Sequence, residues 1–181
     1  MSDLIMVIRH GEKESPDGQV LSVDRAGRVD STELSVRGWE RAAALVEFFG
    51  RPQTPGVLRP AHLYAPAPTE IDPSVRPWHT ITSLADRLER TVSIKFCKGE
   101  EKALCQEIQE LDGPVLIAWE HKAIIQIANV LMGSTDRTPQ EWPEDRYDVI
   151  WAFTRSGKSP WRFEQVPQLL FSGDSSTAIR T

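Results

Sequence analysis

The chain has 181 residues, 40% hydrophobic and 26% charged, with a formal net charge of -5, a length that suits one domain with a core of its own. The acidic balance and the lack of any Lys/Arg run argue against a nucleic-acid binder, whose phosphate contacts need a basic face. No apolar stretch approaches the roughly 20 residues of a membrane span, so no membrane partner is expected.

In chain order, residues 3 to 9 are dense in Leu, Ile and Val and predict a strand buried on both faces. The short apolar run starts after Asp3, without a basic start or a small-residue cleavage site, so it is not a secretion signal and a cytoplasmic location is expected. The strand stops on Arg9, His10, Gly11 and Glu12. From Gly11 to Leu34 the sequence is polar and carries Pro16, Gly18 and Gly27, which predicts a long loop; residues 12 to 33 are the candidate lid or specificity loop. Ser35 is placed to cap a helix with Trp39, Ala42, Ala43, Val46 and Phe49 on one stripe, closed by Gly50 and Pro52. Residues 61 to 65 predict a second strand, and the prolines of "PAPTEIDP" an extended or turn segment. A helix capped by Ser74 then carries Ile81, Leu84, Ala85 and Leu88, with Pro77 in its first turn.

Residues 91 to 96 predict a short strand, 100 to 111 a helix, 113 to 119 a buried strand, and about 122 to 132 an amphipathic helix. "DVIWAFTR" and "SPWRFEQV" flank a turn and predict an antiparallel hairpin. The alternation implies an α/β fold, a three-layer α/β/α sandwich with a mostly parallel central sheet and a C-terminal antiparallel hairpin. Residues 1–171 are expected to form the single domain and 172–181 a disordered tail. Cys97 and Cys105 are too few for a disulfide framework and predict reduced, packed thiols.

Ligands of such folds bind beyond the carboxyl ends of the strands. Arg9 and His10 end the first strand, Arg76 opens the second helix, and His121 follows the strand "PVLIAW". These residues resemble the histidine phosphatase superfamily, also called phosphoglycerate-mutase-like. Arg9-His10-Gly11 matches its opening motif, and Leu34-Ser35-Val36-Arg37-Gly38 its first helix start. Ser74, Arg76 and Thr80 match its Ser-x-Arg-x-x-x-Thr helix, and His121 its second histidine. The resemblance runs in order to about Gly133. An Arg-His-Gly tripeptide alone arises by chance in such a chain with a probability on the order of a few per cent.

The resemblance implies a phosphatase of the small branch of that superfamily, without metal or other cofactor. His10 is the implied nucleophile, forming a phosphohistidine that water hydrolyses, and His121 binds the phosphoryl oxygens. Charge on a transferring phosphoryl group is stabilised by preorganised cations and N–H donors, and Arg9 and Arg76 supply forked ones. Gly11 would let the backbone approach the phosphate. A proton donor for the leaving group is open between Glu100, after the third strand, Glu120, beside His121, and Glu12, which could instead orient Arg9.

Where the family has Ser or Thr before the second histidine and Gly after it, this chain has Glu120 and Lys122, so both are candidates for the pocket, with Lys122 a phosphate-binding candidate; Trp119 is either pocket wall or core. The bland alternatives are a helix-capping role for His121, a surface salt bridge for Arg76, and surface or core roles for His62 and His79. The expected substrate is a small phosphomonoester, or phosphohistidine presented on a protein. The alternative class is an inactive phosphate-binding or protein-interaction module on the same fold. Mutase-type transfer is the weaker fit, because Lys13 and Glu14 follow Glu12 where mutases carry Ser and Asn. The sequence does not specify an oligomeric state.

Overall fold

A computed structural model describes residues 2–180. Six strands form one sheet, in the order β3-β2-β4-β1-β5-β6. Strands β1 (Leu4–Arg9), β4 (Val115–Trp119), β2 (His62–Tyr64) and β3 (Val92–Ser93) are mutually parallel. Strands β5 (Val149–Thr154) and β6 (Arg162–Pro167) run antiparallel on the other side of β1, as the expected hairpin. Alternation along β1 feeds two cores: Ile5 and Val7 pack with α3 (Glu101–Ile108) and α4 (His121–Met132), whereas Leu4, Met6 and Ile8 pack with α1 (Val36–Gly50) and α2 (Arg76–Leu88). The three-layer sandwich is therefore present. No helix among the described residues is long and apolar enough to cross a membrane.

Several local expectations are corrected. The third strand is two residues long, not six: Pro66 and Pro68 deprive the β2 side of alternate N–H donors, so pairing continues only as Ala65 to Ser93, Ala67 to Phe96 and an isolated bridge to Cys97. Helix α3 ends at Ile108 rather than Leu111. Ser74 does not cap α2; Val75 is the N-cap, and the Ser74 hydroxyl accepts instead from Arg76 Nη1 at 3.2 Å.

The buried stripe of α1 is Gly38, Arg41, Ala42, Leu45 and Phe49, rotated from the predicted one so that Ala43 faces outward. The cause is a close approach of backbones. A Cβ on Gly11 would lie 2.9 Å from Gly38 O, and one on Gly38 would overlap the Glu12 carbonyl. Gly38→Ala is expected to cost about 1–3 kcal/mol through this overlap despite the better helix propensity of alanine; equal or higher stability in denaturant melts would refute the close-packing argument.

In 172–180, Asp174 pairs with Arg41, and Ile179 is buried with its backbone held on both sides by the Gln165 amide, while most of the other side chains are exposed. Both cysteines are free; burial pushes the Cys105 thiol up to about 12, as suits a packing residue.

Candidate active site

The register of β1 with β4 builds the centre of the site. Arg9 faces Trp119, and the next amide, His10 N–H, donates to the Trp119 carbonyl at 3.1 Å. Two adjacent parallel strands thus end together, placing His10 beside Glu120 and His121 at the N-terminus of α4. From β2 the chain climbs through 65–75 to Arg76, the first residue of α2. Thr80, one turn on, accepts from Gly11 N–H at 2.8 Å and donates to the Arg76 carbonyl at 2.7 Å, tying α2 to the turn after β1. Gly11 therefore serves packing against α1 and α2; its N–H is already used.

These elements enclose a cavity of about 240 Å³ lined by His10, Arg76 and His121 together with Lys13, Lys98, Lys122, Asp72, Ser74 and Glu120. Lys98 pairs with Asp72 at its edge. Cations outnumber carboxylates, which suits a multiply charged anion.

His10 is 3% exposed. Its Nδ1 lies 2.7 Å from the Gly11 carbonyl, an arrangement that places the proton on Nδ1 and leaves the Nε2 lone pair unshared. Burial, reinforced by the charges of Arg9 and Arg76, pushes its pKa down to about 3, so the ring is neutral across the ordinary pH range.

Arg9 lies buried beside the cavity and is turned to the segment before β5. Its Nη1 donates to the carbonyls of Pro143, Glu144 and Arg146 at 3.2, 2.7 and 3.2 Å, and Nη2 to the Tyr147 hydroxyl at 3.2 Å. The guanidinium also stacks on the Tyr147 ring, 3.9 Å from its centroid. Its Nε is buried with no partner.

Arg76 is held by Glu14 at 3.1 Å, by the Glu33 carbonyl at 3.0 Å and by the Ser31 carbonyl. His121 has Nδ1 2.8 Å from Glu120 Oε1, off the line of a hydrogen bond, and Nε2 3.4 Å from Glu144 Oε1; both ring nitrogens are buried and unsatisfied. Lys122 lines the cavity as an exposed side chain.

The expected acids are placed differently. Glu100 is exposed, accepts from the Cys97 N–H at 2.7 Å and does not line the cavity. Glu120 caps α4, accepting from Ala123 N–H at 3.1 Å. Burial pushes its carboxyl up, but the adjoining His121 and the N–H groups of Lys122 and Ala123 outweigh this and hold it at about 2, so it is ionised near neutrality. Glu12 neither lines the cavity nor orients Arg9; its carboxylate grips Arg41 at 2.8 to 3.0 Å. Trp119 is core, with its N–H on Glu101. His79 pairs with Glu33, and His62 reaches the Asp112 carbonyl.

Sequence reasoning missed Tyr147, Glu144, Lys13 and Lys98. A signal for the first two existed: β5 runs antiparallel beside β1 with Ile8 opposite Ile150, so whatever precedes β5 must lie at the His10 end of the sheet. Among the described residues, no group of three His, Cys, Asp or Glu side chains is placed to hold a metal ion.

No family model and no curated protein matches the sequence. Solved structures do match in fold. A mycobacterial glucosyl-3-phosphoglycerate phosphatase bound to VO3 superposes with a TM-score of 0.61 at 15% identity, over 90% of this chain and 97% of its own. A phosphoserine phosphatase of Entamoeba histolytica bound to phosphoserine gives 0.61 at 10% identity, over 95% and 100%. The ecdysone phosphate phosphatase of Bombix mori bound to tungstate gives 0.55 at 15% identity, over 99% and 98%. The α/β fold expected from the sequence is the fold of this chain, and it is shared with these phosphatases.

Proposed function

We propose that the protein is a metal-independent phosphohydrolase that acts through a phosphohistidine on His10. The observation that carries this reading is the pairing of a buried, neutral imidazole, its Nδ1 committed to Gly11 and its Nε2 free, with a cation-lined cavity bordered by the unsatisfied buried nitrogens of His121. Buried polar atoms without partners are costly, and phosphoryl oxygens would supply acceptors. That the neighbours in fold are named as phosphatases, two of them bound to VO3 and tungstate, supports the same chemistry.

In the proposed reaction the Nε2 lone pair of His10 attacks phosphorus while the bond to the leaving oxygen, or nitrogen, breaks and takes its electron pair. Arg76, His121 and the buried charge of Arg9 stabilise the equatorial oxygens. Water then attacks the phosphohistidine, transferring the phosphoryl group to oxygen and returning the electron pair to Nε2. Glu120 orients His121. Glu144, nearest His121 Nε2, is held below the usual carboxylate range chiefly by His121, against a slight push from burial and with help from Arg9. With Glu120 held ionised beside His121, the site favours groups that leave without a proton, such as a phenolate.

The test is hydrolysis of phenyl phosphate by the purified protein in excess chelator, from about pH 4 to about pH 9. Turnover is expected throughout the range in which His10 stays neutral. Phosphate binding without turnover of phenyl phosphate or of a phosphoramidate would replace this reading with that of an inactive phosphate-binding module.

A further inference from the structure

A second cleft, of about 430 Å³, adjoins the catalytic cavity and is larger than it. The two share Lys13. Their connection is close at two more points. Tyr147, in the wall of the second cleft, has its ring 6.1 Å from that of His10, and Glu144, on the same wall, reaches His121 Nε2. The surface of this cleft is mostly apolar, with Pro16, Val20 and Tyr147 among its walls. Val20 is 46% exposed although aliphatic, in a loop whose other residues are largely polar. That loop is not loose. The Trp39 N–H donates to the Val23 carbonyl at 2.8 Å, Ser22 bonds Glu14, and Ser22 and Ser35 form a bridge. An apolar wall is thus held in place at the edge of a charged reaction centre, the composition expected of an organic ligand pocket and a volume within its usual range.

The rim selects further. Glu14, Glu144 and Asp145 face the cleft, and of its two cations Lys13 lies at the junction with the catalytic cavity while Arg37 is already engaged, 3.4 Å from Glu12 and stacked on Phe171. A second anion on the substrate would meet carboxylates there.

Resting on the phosphohydrolase reading above, we propose that this cleft is the leaving-group subsite and that the substrate is a phosphoester of an apolar organic group, aromatic or alkyl-aromatic, without a second negative charge. The phosphoryl group sits at His10, Lys13 marks the junction, and the organic body lies along Pro16, Val20 and Tyr147.

The test is a series of 4-alkylphenyl phosphates, from phenyl upward, in which added methylenes change size but hardly change the acidity of the leaving phenol. In the wild type kcat/KM is expected to rise about two- to fourfold per methylene until the cleft is filled, and a chain of equal length ending in a carboxylate is expected to be at least about tenfold poorer. In Val20→Asp the ratio between long-chain and phenyl substrates should fall towards one; because the ratio is internal to each protein, a change in overall activity does not affect it. A flat wild-type series, with phenyl phosphate still turned over, overturns the subsite and leaves the phosphohydrolase standing. A rise that survives undiminished in Val20→Asp overturns its location. No turnover of any member overturns the subsite; if a phosphoramidate is not hydrolysed either, the phosphohydrolase reading falls with it, and if it is hydrolysed that reading stands.

Discussion

His10→Ala is expected to lower the hydrolysis of phenyl phosphate at least about a thousandfold, as loss of a nucleophile does, while inorganic phosphate still binds to the cavity. His121, the other imidazole lining the cavity, has its two ring nitrogens against the carboxylates of Glu120 and Glu144, whereas His10 Nε2 faces none. Lys98 pairs with Asp72, Lys122 lies 3.9 Å from Glu144, and the Ser74 hydroxyl accepts from Arg76. The wild type mixed briefly with substrate and quenched in alkali should carry a phosphoryl group that is released by acid; His10→Ala should not. Residual activity above about a tenth of wild type would sink the nucleophile assignment.

The same residue sets a pH signature on stability. In the unfolded chain His10 gains a proton near 6.5, in the folded protein near 3. Between those values the unfolded state binds the extra proton, so the stability contributed by the neutral ring is complete above about 6.5 and is lost as pH falls towards 3. At pH 5 the loss is about 2 kcal/mol. His10→Ala should therefore show a flatter dependence of unfolding free energy on pH across this window, measured by denaturant melts. A dependence as steep as that of the wild type would mean that His10 is not held neutral by its surroundings.

The parts of the site that were legible in the sequence are those fixed by strand ends. A continuous apolar run that stops on Arg9-His10, and another that stops before His121, can be paired in parallel only with their C-terminal ends together, and β1 and β4 are so paired. What escaped was set by contacts remote in sequence. Arg41 sits on the core side of α1 because Gly38 must meet the Glu12 backbone, and helical periodicity alone reads an arginine there as solvent-facing. The tail has few apolar residues and reads as disordered by composition, yet Asp174 and Ile179 find partners in Arg41 and Gln165. Glu120 lines the cavity, as its place beside His121 implied, and its backbone position makes it a helix cap as well.

Arg41→Met is expected to cost about 3–5 kcal/mol, a fall of roughly 6–20 °C in Tm, although the substitution preserves an apolar stem. Arg41 is 2% exposed and gathers Glu12, Gln168 Oε1 at 2.9 Å and Asp174 at 2.8 Å. Burial lowers its pKa, but the carboxylates of Asp174 and Glu12 outweigh burial and raise it. Removing the guanidinium leaves two carboxylates facing each other in a site with little water, and the cost comes from them rather than from the lost arginine.

Those carboxylates also give the test its pH dependence. In the wild type, burial pushes the Asp174 carboxyl up and Arg41 more than reverses it, so its pKa lies below the ordinary 3.8; the stabilisation is complete above that value and is lost only as pH falls through the lower folded one. In Arg41→Met burial of the Asp174 carboxyl is opposed only by the N–H groups of Leu170 and Phe171, so its pKa rises and protonation relieves it at a higher pH. The stability gap between the two proteins should therefore be widest near neutrality and narrow as pH falls towards about 4. Because Glu12 follows His10 and Gly11, kcat should fall with the gap at neutral pH. A loss under about 1 kcal/mol, or a gap that does not change with pH, would mean that Arg41 holds the catalytic turn and the tail together by packing and not by charge.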